Sequence, residues 1–154
     1  MLRTSSRLSR SLALAFAGIS LTSVSVAAGE LTIWCWDPNF NIAAMADATA
    51  RYTAANPDTT FAINNVTQDE INQKLQTQLL AGVSDGLPDI VLIQDDNIQR
   101  FLQSFPGAFV PLSDSIDMSK FADYKVAAAT HDGKSYSLPF DSGVTGLFYR
   151  SDYL

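Results

Sequence analysis

The sequence predicts an α/β domain built on a largely parallel open sheet flanked by helices, and three observations lead there. Short apolar segments alternate with longer segments of helical period, in the order βαβαβα between Leu31 and Phe105. The first strand, LTIWCW over 31–36, is apolar on both faces, as a strand covered by helices on both sides must be. The third lies within GLPDIVLIQDDN over 86–97 and runs straight into polar residues, as strands do where their carboxyl ends open on a ligand-reading loop.

Residues 1–28 precede these elements. Arg3, Arg7 and Arg10 lead into an uncharged, mostly apolar run over 12–26, followed by Ala27, Ala28 and Gly29. A basic start, an apolar middle and small residues at the end read as a secretory signal peptide, cleaved after Ala28 or Ala27. The run falls short of the roughly 20 residues a spanning helix needs and is diluted by Ser, Thr and Gly, so no membrane insertion is expected after cleavage. No cysteine follows it directly, which argues against a lipoprotein.

Asp37, Pro38 and Asn39 end the first strand. Ile42, Met45, Ala46, Thr49 and Tyr52 then recur at helical spacing, and Asn56-Pro57 stops that helix at about residue 55. Phe61 and Ile63 alternate in a second short strand. Thr67-Gln68-Asp69-Glu70 spells a capping box, in which hydroxyl and carboxylate each satisfy an orphan amide. Ile71, Leu75 and Leu79 mark the next helix, which Gly82 can terminate. Asp85-Gly86 turns the chain into a strand over 90–93. Asn97 is the expected cap of a third helix, whose apolar face is Ile98, Phe101, Leu102 and Phe105 and which Pro106-Gly107 ends.

Beyond it the pattern loosens. An extended segment is expected over 109–112, a weak helix over 119–128, a tight turn at Asp132-Gly133 before an extended 135–139, and a strand over 144–149. Ser151-Asp152 would start a further helix, left without cover at Leu154, so the span reads as part of a longer domain. There is no internal repeat, low-complexity tract or linker.

Composition narrows the function. From Gly29 the chain has about 126 residues, enough for one modest core. Loss of three of the 10 basic residues with the leader leaves seven against 16 acidic ones, a balance near −9. Such a surface argues against nucleic acid or an anionic membrane as partner and for a neutral or cationic small ligand. Cys35 is the single cysteine, so no intramolecular disulfide can form; it lies in an apolar strand and reads as a small buried hydrophobe. His131 is also alone and sits beside a turn, which argues against a Ser-His-Asp triad or a transition-metal site.

Four segments stand in the order and spacing of one family: ELTIWCWD at 30–37, DGLPDIVLIQDD at 85–96, GAFVPLSD at 107–114 and DGKSYSLPFDSGVTGLFYRSDYL at 132–154. In them the chain resembles the extracellular solute-binding proteins of ABC importers, in the sugar-binding family that includes maltose-binding protein. The resemblance implies two α/β lobes on a hinge, closing on ligand in the cleft between them. On this reading residues 29–143 are most of the first periplasmic-binding-protein type lobe, 144–154 are the hinge strand and the truncated start of the next helix, and the second lobe is missing. The resemblance also implies a monomer in the periplasm that delivers a sugar or related small solute to ABC permease subunits. It implies no cofactor, no metal and no catalytic residue.

A sugar offers vicinal hydroxyls at its edge and C–H patches on its faces. Carboxylates and amides bridge the hydroxyls while an aromatic ring covers a face. Three loops hold such groups. Trp36, Asp37 and Asn39 follow the first strand, where Trp36 reads equally well as a core residue. Asp95, Asp96 and Asn97 follow the third, next to Gln94. The resemblance places Asp96 at a sugar-binding aspartate, with Asn97 in place of a neighbouring arginine and Ile93 in place of an aromatic residue. Asp141 and Ser142 precede the strand expected at 144–149, next to Gly143, which stands where maltose-binding protein has a ligand-contacting glutamate. These departures imply a carbohydrate other than maltose.

The alternative within the same architecture is a polyamine or other cation, met by Asp37, Asp96 and Asp141. A secreted glycoside hydrolase is less favoured: it needs two carboxyl groups roughly 5 to 9.5 Å apart, one with a raised pKa, and Asp95 and Asp96 are adjacent with no apolar pocket around them. A purely structural secreted domain fits the four segments equally poorly.

Overall fold

The computed structural model describes residues 29–143 and 146–153. The leader read at 1–28 and the first two residues of the strand expected at 144–149 lie outside them.

The sheet has three parallel strands in the order β2-β1-β3, with β1 at Glu30–Cys35, β2 at Thr60–Asn65 and β3 at Ile90–Val91. β1 pairs with β2 along its whole length, from Glu30 opposite Thr60 to Cys35 opposite Asn65. On its other edge Ile33 faces Ile90 and Trp34 faces Val91. The Leu92 N–H prolongs that edge by donating to the Trp34 carbonyl at 2.9 Å. Asp89 secures its start: the Thr32 N–H and hydroxyl donate to Asp89 Oδ2 at 2.8 and 2.9 Å, and the Asp89 N–H donates back to the Thr32 carbonyl at 3.0 Å.

Side chains alternate across β1, so Leu31, Ile33 and Cys35 share one face and Thr32, Trp34 and Trp36 the other. Ile33 and Cys35 are essentially inaccessible. Helix α1 (Asn41–Ala55) follows β1 and belongs to the first face: its Tyr52 packs edge-on against Phe61, with centroids 5.7 Å apart, and Phe61 is the register partner of Leu31. The helix ends at Asn56, before Pro57. Ile42, Met45 and Thr49 turn inward while Ala46 is exposed.

Helix α2 (Gln68–Ala81) carries the chain from β2 across β1 to β3 on the opposite face, as right-handed crossovers in opposite directions require. Its capping box forms: Glu70 accepts from the Thr67 N–H at 3.1 Å and hydroxyl at 2.9 Å, while the Glu70 N–H reaches the Thr67 hydroxyl at 3.4 Å. Gly82 stops the helix in the left-handed conformation, φ 64°. Ile71 and Leu75 join Val66 and Phe101 in the main core, against which Trp34 and Trp36 pack. Helix α3 (Asp95–Ser104) contributes Phe101 there and Ile98 and Leu102 to a second cluster with Ala129.

Several elements differ from expectation. Asn97 does not cap α3. Gln94 occupies the N-cap position without a side-chain cap bond, and Asp95, Asp96 and Asn97 form the first helical turn, where two carboxylates next to exposed amides suit the positive end of the helix. The helix expected over 119–128 splits into a 3-10 turn at Met118–Lys120 and α4 (Asp123–Ala128), because Asp117 caps the first turn and accepts from the Ser119 N–H at 3.1 Å. The segment over 109–112 joins no sheet, although the Leu112 N–H bonds the Ser135 carbonyl at 2.8 Å. The extended 135–139 contributes only to a hairpin of β4 (Thr130–His131) and β5 (Lys134–Ser135), closed by Asp132 and Gly133 at φ 48° and 76°. Residues 146–150 form no strand and pair with no strand among the described residues, and Leu147 and Phe148 are almost fully exposed.

The Thr32 contacts hold the Asp89 carboxyl below the usual aspartate range, the backbone N–H first and the hydroxyl second. Ionised Asp89 therefore stabilises the fold fully above that range, and the contribution is lost as pH falls through it toward the depressed folded value. Urea unfolding between about pH 7 and about pH 2 should show a steeper acid limb for the native chain than for Asp89→Asn. Identical limbs would mean that the Asp89–Thr32 clamp contributes nothing.

Candidate functional site

In an open parallel sheet the carboxyl ends of the strands share one edge, and a crevice forms where successive connections leave in opposite directions. With order β2-β1-β3 that point lies between β1 and β3. The loop after β1, the start of α3 after β3 and the N-terminus of α2 after β2 all lie on this edge, each helix directing backbone N–H groups toward it.

At the end of β1, Asp37 adopts φ 60° and turns the chain sharply. Its carbonyl accepts from the Ile42 N–H at 3.1 Å, and its Oδ1 accepts from the Asn39 N–H at 3.1 Å. The carboxylate thus shapes its own loop while staying exposed, and Asn39 is exposed next to it. Trp36 is half-buried and packs against the main core, so its ring is at least in part a structural one.

At the end of β3 the three polar residues have different surroundings. Asp95 Oδ2 accepts from Lys125 Nζ of α4 at 2.7 Å. Asp96 is exposed, with the Asn97 amide donating to its Oδ1 at 3.1 Å. The Asn97 carbonyl oxygen accepts from Arg100 Nη2 at 3.3 Å. Next to them the side-chain amides of Gln94 and Gln68 bond reciprocally, Gln94 Nε2 donating to Gln68 Oε1 at 2.7 Å, and so tie the N-terminus of α3 to that of α2.

Asp141 and Ser142 are exposed and belong to no regular element. Two contacts bring them to the same edge. The Phe140 ring packs edge-on to Phe40 of the β1 loop, with centroids 6.2 Å apart, and Ser142 shares a hydrogen bond with the Tyr124 hydroxyl of α4. The three predicted loops are therefore linked in space through Phe40–Phe140 on one side and Tyr124 and Lys125 on the other. Sequence reasoning missed Phe40, Gln68, Tyr124, Lys125 and Phe140. An exposed aromatic inside a polar loop was the available signal for Phe40; nothing in the linear pattern pairs Lys125 with Asp95.

The groups gathered here are carboxylates, amides and a hydroxyl, which can accept and donate hydrogen bonds, beside the aromatic rings of Phe40 and Phe140. His131 stands elsewhere, in a small cleft of about 90 Å³ with Leu102, Phe105, Phe109 and Tyr136, at the C-terminal end of α3 and hence the opposite edge of the sheet. Burial pushes the Cys35 thiol up, so it stays protonated and unreactive.

Residues 47–154 match the family model described as bacterial extracellular solute-binding protein. The chain is 59% identical over 134 residues to the lactose-binding protein of Rhizobium radiobacter, a match covering 87% of this chain and 32% of that one. It is 28% identical over 155 residues to the arabinooligosaccharide-binding protein of Bacillus subtilis strain 168, covering 93% and 34%. The chain thus spans about a third of the length of these relatives. The fold is similar to part of the GacH receptor of Streptomyces glaucescens, with a TM-score of 0.62 at 21% identity over 73% of this chain and 29% of the receptor.

Replacing Trp36 and Asp96 should separate core from site. Trp36→Ala is expected to cost about 2–3 kcal/mol of stability, because a partly buried ring leaves the main core. Asp96→Asn, with only an exposed amide as partner, should cost less than about 1 kcal/mol. Equal losses in urea unfolding would contradict this division.

Proposed function

Because the chain belongs to the bacterial extracellular solute-binding proteins, we propose that it supplies one wall of a carbohydrate site in the binding component of an ABC importer. The observation that carries this reading is the convergence of the loops after β1 and β3 and the 140–142 segment on one edge of the sheet, with Asp37, Asn39, Asp96, Asp141 and Ser142 exposed along it and Asn97 half-buried. Trp36 and Asp95 support that wall from behind. Substantial identity to a lactose-binding relative favours a disaccharide of the lactose type as ligand.

In this proposal residues 1–28 direct export and are removed, the remainder works in the periplasm as a monomer, and the ligand passes unchanged to a membrane permease. Residues 144–154 lead toward a second lobe that closes the opposite wall of the cleft. Binding without turnover is the expected chemistry: the described residues of the wall offer hydrogen-bond acceptors, and its adjacent carboxylates Asp95 and Asp96 are exposed rather than set in an apolar pocket.

Titration calorimetry of the complete gene product with lactose should give a dissociation constant of roughly 1–100 μM, and Asp96→Ala should weaken it at least about tenfold. Residues 29–154 alone should bind far more weakly, lacking the opposite wall. If neither lactose nor any of a panel of mono- and disaccharides raises the melting temperature of the complete product, the carbohydrate reading is wrong. Release of glucose and galactose from lactose would instead make the protein a hydrolase.

A further inference from the structure

Two consecutive residues of α4 reach different segments of the candidate wall. Tyr124 bonds Ser142, and Lys125 bonds Asp95. The Lys125 side chain is only 13% exposed, against 52% for Asp95. With its stem largely buried the side chain holds its ammonium group in place, and Asp95 is the anion that group meets. Four carboxylates stand along the edge, Asp37, Asp95, Asp96 and Asp141. Among the described residues only Asp95 has a cationic partner.

Asp95 and Asp96 are adjacent in the first turn of α3. Without Lys125 they would present a doubly anionic edge, which attracts protonated amines and repays a neutral sugar poorly for the water it displaces. We infer that Lys125 is a positioning residue that tunes ligand charge preference: it neutralises Asp95, leaving Asp96 as the one uncompensated carboxylate of the α3 turn, so the site favours an ammonium group less, relative to neutral hydroxyls, than it would without Lys125. This rests on the carbohydrate-binding reading above. A carboxylate released from its partner a few ångströms from a ligand changes affinity for a monocation by on the order of tenfold at low ionic strength, and by less in high salt.

Lactose and the free-amine form of lactosamine, in which an ammonium group replaces one hydroxyl, are the probes, and the complete gene product is the protein. Lys125→Met should raise the lactosamine-to-lactose affinity ratio about tenfold in low salt, with most of the gain lost in high salt. Lys125→Arg should keep the native ratio, and adding Asp95→Asn to Lys125→Met should restore it. A merely structural Lys125 would lower both affinities together, with no restoration by Asp95→Asn. If Lys125→Met does not fold, Asp95→Asn alone serves: it leaves the Lys125 charge uncompensated and should lower the ratio several-fold. An unchanged ratio in a folded variant that still binds lactose overturns the inference and leaves the carbohydrate reading standing. Failure of the native chain to bind either sugar removes both.

Discussion

The structure depends on the burial of β1 from every side. A parallel strand has ladder bonds on both edges and side chains on two faces, so it persists only where helices cover both. Here Ile33 and Cys35 are sealed on one face, while Trp34 and Trp36 meet Ile71, Leu75 and Phe101 on the other. Lys74 of α2 lies over the Trp34 ring, 5.5 Å from its centroid, so even the edge of that layer is closed. A charge anywhere in 33–35 would face apolar side chains without a partner and remove the seat of both neighbouring strands.

Site geometry follows from this one strand. Since β1 is central and its neighbours are β2 and β3, all three carboxyl ends share an edge, and the switch in direction falls between β1 and β3. The ends are then fixed laterally by polar contacts, which need an exact arrangement in space and gain little from burial. Gln68 and Gln94 tie α2 to α3, Lys125 ties α4 to α3, and Tyr124 ties α4 to Ser142. Rigid core behind and polar links in front leave Asp96 and Asp141 free of ionic partners among the described residues, which is the condition for carboxylates that accept from ligand hydroxyls.

What depended on local chemistry was legible in the sequence. The capping box at Thr67, the stop at Gly82, the end of α1 at Asn56 and the apolar faces of α2 and α3 each need only a few neighbouring residues to be recognised. The start of α3 was misplaced from Gln94 to Asn97 because Asp, Asn and Gln can all stand near a helix start, and the β1–β3 pairing decides which does. The segment after Phe109 was read poorly for a related reason: its hydrogen bonds run between distant stretches, such as Leu112 to Ser135 and Gln99 to the Ala128 and Thr130 carbonyls. Of the candidate site, the loops after β1 and β3 are legible as strand ends, whereas the placement of the 140–142 segment and the division of labour between Asp95, held by Lys125, and Asp96, left open, come only with the fold.

Amide hydrogen exchange on the complete gene product, with and without saturating lactose, tests the convergence of these segments most directly. The account predicts slowed exchange together in the β1 loop around residues 37–40, at the start of α3 around 95–98 and around 140–143, with no change in the β4–β5 hairpin near His131 at the opposite edge. Protection confined to that hairpin, or to one of the three segments alone, would contradict a shared ligand wall at the carboxyl ends of the strands.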